Sequence, residues 1–257
     1  MIKKTISQLL VVLFVIGANF TLNAQQDSKE DVLMESILLT PDYTKLKVLG
    51  ENMRAHNAKY HKEGPYKASV YSISTGPNTG KLVWMMGPLT YTHLDSRPEG
   101  NGHDEDWRDN VMPYIKKIHT GEYWKMDTKV SNMSMMDGDN NKFPLVFIRY
   151  GEIDEDHQYA LDSFFEMVGK TIKAMDGENP WGLYDNEFIQ GNLGRHIASV
   201  SFYKNWTQFD DDTVSFKDAF EKTIGKDKWE NFIEMNKSIF SNRYDEMWSY
   251  NAHMSGK

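Results

Sequence analysis

The sequence predicts an α+β protein built from two tandem βαββαβ units, and three observations carry that prediction. The same order of apolar strands and amphipathic helices reads on both sides of a turn-rich segment at residues 134–143. Short residue patterns recur between the two sides at nearly one offset. The 257 residues, 40% of them AVILMFWYC and 26% charged, suffice for a full core and exclude a disordered or collagen-like chain.

Residues 1–24 read as a secretory signal peptide. Lys3 and Lys4 precede a short apolar run, Leu9 to Ala18, and Ala24 offers a small residue before Gln25. The run is too short to span a bilayer, so cleavage after Ala24 is expected. Gln25 stands where a lipid anchor needs cysteine, so the expected product is periplasmic or extracellular and not lipid-anchored. Losing Lys3 and Lys4 also makes the product more acidic.

After a linker at residues 25–31, the first unit covers 32–133. Val32 to Leu39 is an apolar strand, and Thr40-Pro41-Asp42 reads as a helix start with proline at the first helical position. Leu46, Leu49, Met53, His56 and Tyr60 recur at helical spacing until Gly64-Pro65. Lys67 to Thr75 and Lys81 to Met86 flank Gly76-Pro77-Asn78-Thr79-Gly80 as a hairpin. A polar loop, Ser96 to His103, leads to a second helical stripe of Trp107, Val111, Tyr114, Ile115 and Ile118, with a kink expected at Pro113. Trp124, Met126, Thr128 and Val130 then alternate with charged residues as a half-buried strand.

Residues 134–143 form a linker and 144–257 the second unit. Leu145 to Tyr150 is a strand, followed by a helix capped by Asp154 and carrying Leu161, Phe164, Phe165, Val168 and Ile172, then a hairpin around Gly191. A longer helical region, Phe216 to Phe240, is broken at Gly225. Gly76 to Lys81 echoes Gln190 to Arg195, and Ile118 to Tyr123 echoes Ile239 to Tyr244. The same offset matches Met126 to Met247 and Met133 to Met254.

Composition narrows the function classes. With 29 Lys+Arg against 37 Asp+Glu the formal charge is -8, which argues against nucleic acid as a partner. There are no cysteines, so disulfides, thiolate metal sites and cysteine nucleophiles are excluded. The eight histidines recur in no metal-motif spacing, and no metal site is expected. No Walker loop, dinucleotide fingerprint, His-Glu-x-x-His or Gly-x-Ser-x-Gly occurs. The acidic clusters Asp137-Gly138-Asp139, Asp154-Glu155-Asp156 and Asp210-Asp211-Asp212 lack the ligand spacing of a calcium loop and read as solvated linkers or helix starts.

A βαββαβ unit is a ferredoxin-like sheet with both helices on one face, so its other face must be covered. Two units in one chain can cover each other by closing into an eight-stranded barrel. On this element order and repeat, over nearly all of Val32 to Met254, the sequence resembles the dimeric α/β-barrel superfamily of stress-responsive, haem-degrading and antibiotic-biosynthesis monooxygenase-like proteins, here as a fused pseudo-dimer. The resemblance implies a ligand cavity inside the barrel or between sheet and helices, and fixes no chemistry.

Candidate site residues follow. His93 with Asp95, beside Tyr91 on the loop after the first hairpin, has the composition of an oriented base, with Trp206 on the corresponding segment of the second half. His56 and His61 on the first helix can serve as acid–base groups, haem ligands, or core and capping residues. The superfamily's haem-degrading members imply an axial histidine on the second helix, a place His119 fills in similar fashion, with Trp84 and Trp107 near the porphyrin. The expected asparagine on the first strand is absent, and Phe240 stands opposite His119 in the repeat. The preferred expectation is an exported, soluble protein binding a small, partly apolar ligand, without a cofactor and of open oligomeric state. The alternatives are a haem-dependent or cofactor-independent monooxygenase-like enzyme and a non-catalytic envelope protein.

Overall fold

The computed structural model describes residues 31–98, 100–136, 138–189, 195–210 and 215–257. The segment expected to be a signal peptide, the hairpin expected around Gly191, and Asp137, Asp211 and Asp212 lie outside them. In the first half, β1 (Leu33–Pro41) leads through a short turn to α1 (Leu46–Tyr60), followed by β2 (Ala68–Thr75) and β3 (Leu82–Leu89). Two short helices, α2 (Tyr91–Asp95) and α3 (His103–Asp106), precede β4 (Ile115–Met126). The second half repeats the order with β5 (Leu145–Ile153), α4 (Leu161–Ala174), β6 (Trp181–Asn186), β7 (His196–Tyr203), α5 (Phe216–Phe220), α6 (Trp229–Ser238) and β8 (Phe240–Tyr250).

All eight strands pair antiparallel in one closed barrel, ordered β1-β3-β2-β8-β5-β7-β6-β4. Each half contributes a ferredoxin-like block, fourth strand beside first, first beside third, third beside second. The halves join where β2 meets β8 and β6 meets β4, so no sheet edge is left open. The registers place Met34 opposite Trp124 and Val146 opposite Trp248, which makes the two tryptophans counterparts. By the same registers Tyr71 answers to Tyr184 and Met85 to Val200. Met126 therefore answers to Tyr250, not to Met247 as the sequence echo suggested.

β3 is covered on both faces, which explains why it is a nearly continuous run of apolar residues rather than a strict alternation. Val70, Leu82 and Trp84 pack under the first half's helices, whereas Tyr71, Ile73 and Val83 belong to the barrel interior. Gly76 turns the first hairpin at φ +94°, and a Cβ there would stand 2.4 Å from the carbonyl oxygen of Asp245. Among the described residues no helix is long and apolar enough to cross a membrane.

Several expected elements differ. Pro41 ends β1 instead of opening a helix, and Asp42 caps the turn Tyr43–Lys45 through the Thr44 amide. The second helical stripe stops early: α3 passes through a π turn, Trp107–Val111, and a 3-10 turn, Met112–Tyr114, before β4 starts at Ile115. Pro113 has no amide hydrogen to continue a helix, and the β-branched Ile115, Ile118 and Thr120 suit the strand that follows. His119 therefore lies on a strand, not at a helix end, and β4 stops at Met126, leaving Thr128 and Val130 in a turn. Asp154 does not cap α4. It accepts from the amide of Asp156 and from His157 in a turn seven residues ahead. Gly225, at φ +126°, breaks the helical region where expected.

Candidate functional site

Among the described residues, two places have the shape or chemistry of a site. The first is the barrel interior, where the inward faces of the strands enclose a cavity of about 430 Å³. Trp124 and Trp248, Tyr71 and Tyr184, and Met85 and Val200 line it as counterpart pairs, with Met34, Val146 and Ile148 between them. The indole nitrogens of both tryptophans are engaged by glutamates two residues earlier on the same strands: Trp124 Nε1 donates to Glu122 at 3.1 Å and Trp248 Nε1 to Glu246 at 2.8 Å. Burial raises the hydroxyl of Tyr71, with Tyr250 and Tyr184 adding to it, and pushes that of Tyr184 up to about 12. Both phenols stay protonated and able to donate. Burial also raises Glu122, partly offset by the Trp124 hydrogen bond. At one end Met133, Met136, Gly138 and Asn140 lie over the cavity, held by Lys67 Nζ donating to the Gly138 carbonyl at 2.8 Å and Asn140 Nδ2 to Ser69 Oγ at 2.8 Å. The segment between the halves is thus part of the wall.

The second place is the layer between α1 and the barrel in the first half. His56 lies on the buried face of α1, His61 follows the end of that helix, and His103 opens α3. Gly102, at φ +77°, makes the left-handed turn that brings His103 back toward α1. The three rings stand 5.0 to 5.2 Å apart between centroids. One nitrogen from each lies within 4.8 Å of one from each of the others. Their Nδ1 atoms face acceptors: Asp106 for His56 at 2.7 Å, the Tyr66 carbonyl for His61 at 2.8 Å, and Asp104 for His103 at 2.7 Å. The Nε2 atoms of His61 and His103 meet at 3.0 Å, and Nε2 of His56 is buried without a partner. Tyr60, Trp84 and Trp107 wall the cluster.

Burial depresses both inner imidazoles. It takes His61 down to about 4 against the Tyr66 hydrogen bond, and it lowers His56 further than the Asp106 interaction raises it. Burial would raise Asp106, but hydrogen bonds from His56 and Asn110 outweigh it and hold the carboxyl low.

Of the residues singled out from sequence, His56, His61, Trp84 and Trp107 come together here. His93 Nδ1 instead accepts from the Thr90 amide at 3.0 Å in the capping box of α2, and Asp95 is exposed. Tyr91 and Trp206 are exposed on the rims of the two halves and line no part of the cavity. Burial and Glu187 push the Tyr91 hydroxyl up to about 12. His119 Nε2 pairs with Thr40 Oγ1 at 2.7 Å. Among the described residues no ring contact joins His119 to Trp84 or Trp107, and no histidine lines the barrel cavity. These residues do not fit the haem arrangement that the resemblance implies. Sequence reading missed His103, Asp106, Glu122 and Glu246. The last two carry a readable signal, Glu122-Tyr123-Trp124 recurring as Glu246-Met247-Trp248.

No protein-family model matches the chain, and no curated protein matches its sequence. Solved structures do. The chain is similar to an anthrone oxidase-like protein, with TM-score 0.52 and 12% identity over 87% of this chain and 92% of that one. A monooxygenase-like protein from Fusobacterium nucleatum subsp. nucleatum gives TM-score 0.53 and 8% identity over 86% and 93%. A mutant chlorite dismutase from Candidatus Nitrospira defluvii gives 0.51 and 8% over 87% and 92%. At these identities the likeness is of fold, and the fold is the dimeric α/β barrel as a fused pseudo-dimer.

Proposed function

We propose that this protein binds a small, mostly apolar ligand inside the barrel. One observation carries the reading: a cavity of about 430 Å³ walled by tryptophan, tyrosine, methionine and valine side chains, with few polar groups facing it. That size and lining suit small-molecule sites, which typically occupy about 300–1,000 Å³. Tyr71 and Tyr184, kept protonated by burial, supply hydrogen-bond donors to a carbonyl or phenolate on an otherwise apolar molecule. A planar polycyclic ketone such as anthrone, the compound in one structural neighbour's name, has this character. The ligand meets the protein outside the cytoplasm if residues 1–24 direct export. N-terminal sequencing of protein recovered from the periplasm or medium, beginning at Gln25, checks that step.

The test of binding uses the indoles of Trp124 and Trp248 as reporters. Titration with anthrone, and with a fluorescent naphthalene dye as a second apolar probe, should quench tryptophan emission saturably. Val200→Trp, which fills the cavity from its wall, should abolish both responses while the circular dichroism spectrum stays that of the parent. Absence of saturable binding by the parent, or equal binding by Val200→Trp, overturns the reading.

A further inference from the structure

We infer that His56, His61 and His103 form a binding site for one divalent transition ion, zinc by donor preference, outside the barrel cavity. The argument starts from protons. The Tyr66 carbonyl can only accept, so His61 must carry its hydrogen on Nδ1. The carboxylates of Asp104 and Asp106 ask the same of His103 and His56. Each neutral ring then presents a bare Nε2 lone pair. Two of these face each other at 3.0 Å with no hydrogen to share, and the third, on a residue 1% exposed, meets nothing. An extra proton on His103 would reconcile the first two and leave His56 unmatched. A cation reconciles all three.

The surroundings follow the pattern of metal sites. Ligating histidines usually donate their other nitrogen to a carboxylate or a backbone carbonyl, which fixes the tautomer and the ring orientation. All three do so here, two to aspartates and one to a carbonyl. Tetrahedral nitrogen ligands at about 2.0–2.1 Å from zinc stand about 3.3 Å apart, close to the spacing between His61 and His103. Neutral imidazoles suit zinc, copper, iron or nickel and do not suit calcium or magnesium, which prefer oxygen. Among the described residues no fourth histidine or carboxylate joins the group, which leaves one position to water or another small ligand. The side chain of His103, 32% exposed, is the cluster's contact with solvent, whereas His56 and His61 are buried.

The test uses chelator-stripped full chain titrated with Co(II), then with Zn(II). One equivalent of cobalt should give the intense visible bands of a tetrahedral site, and zinc should displace it and raise the melting temperature. His103→Ala, at the solvent-facing corner where folding is least at stake, should weaken binding at least about 100-fold, and Asp106→Asn by about 10- to 100-fold. His253→Ala, which removes the exposed pair of His253 with Glu51, should bind as the parent does. No cobalt spectrum in the parent, parent-like affinity in His103→Ala, or loss of binding in His253→Ala each overturns the assignment. The cavity plays no part in these readouts, so failure here leaves the ligand-binding proposal to its own test.

Discussion

The two halves of the barrel carry the same layer of helices over the same sheet and fill the space between in opposite ways. In the second half Phe164 stacks on Phe232 at 4.8 Å and 6°, with Phe220, Phe165, Trp181 and Trp229 around them. In the first half the same layer holds His56, Asn57 and His61 beside Trp84 and Trp107. Asn57 is satisfied, donating to the Met254 carbonyl and accepting from Trp84 Nε1. The histidines are only partly so. The second half shows that this fold needs nothing polar there, and burying polar groups disfavours folding unless each is paired. The histidine cluster is therefore a feature the fold tolerates, not one it requires.

The largest expected effect breaks the comparison from the apolar side. Phe232 is 5% exposed and packs on Phe164, Phe216, Phe220 and Trp229. Phe232→Ala should cost about 3–5 kcal/mol in urea unfolding. A loss below about 1 kcal/mol would show that the aromatic layer collapses around the gap and is not rigid.

Next comes pH, which should act through the first half. His61 is held near 4 in the folded protein, below the ordinary 6.5 that the unfolded chain keeps. Above pH 6.5 both states are neutral and no penalty exists. As pH falls toward 4 only the unfolded chain takes up the proton, so stability is lost across that window and levels off below it. The full difference is about 3 kcal/mol at about 1.4 kcal/mol per pH unit. His61→Phe, measured in the presence of chelator, should flatten the profile between pH 6.5 and 4. A profile equally steep in the variant would place the acid sensitivity elsewhere.

A smaller contrast lies at the rims. In the first half Thr90 and His93 close a capping box at α2, whereas the turn Trp206–Phe209 of the second half begins at Asn205 with no side-chain cap. Thr90→Ala should cost about 1 kcal/mol and Asn205→Ala a few tenths at most, read as shifts in the denaturation midpoint. Equal losses at the two positions would remove this difference between the halves.

Much of this was legible in the sequence because it depends on local periodicity. The strands at Leu33–Pro41 and Leu145–Ile153, the stripe from Leu46 to Tyr60 and the hairpin at Gly76 follow from patterns a few residues long. The second helix of the first half was misread because Trp107, Val111, Tyr114, Ile115 and Ile118 keep helical spacing while Pro113 and the β-branched residues after it favour a strand. The histidine cluster is hidden for a different reason. His56 and His61 are five apart, too far round a helix to face one ligand, and His61 joins only because the helix ends before it. His103 then arrives from a loop 42 residues on, through a turn of Gly100, Asn101 and Gly102, all at positive φ. No local pattern encodes that meeting. The glutamate–tryptophan pairs were within reach, since Glu-x-Trp occurs at the corresponding place in both halves.

The smallest expected change sharpens the comparison most. His56→Leu replaces a buried, half-satisfied imidazole with an apolar side chain of the kind the second half uses, and its partner Asp106, 27% exposed, can take water instead. An unpaired buried nitrogen costs about 1–3 kcal/mol, while the hydrogen bond lost to Asp106 is worth a similar amount. In metal-free protein the two should nearly cancel, leaving stability within about 1 kcal/mol of the parent or slightly above it by urea titration. A loss of about 2 kcal/mol or more would mean that the imidazole anchors α1 to α3, and the first half would then need its histidines as the second needs its phenylalanines. A near-zero change in metal-free protein, with zinc stabilising the parent but not the variant, would separate the two layers by purpose: one packs, and the other holds an ion.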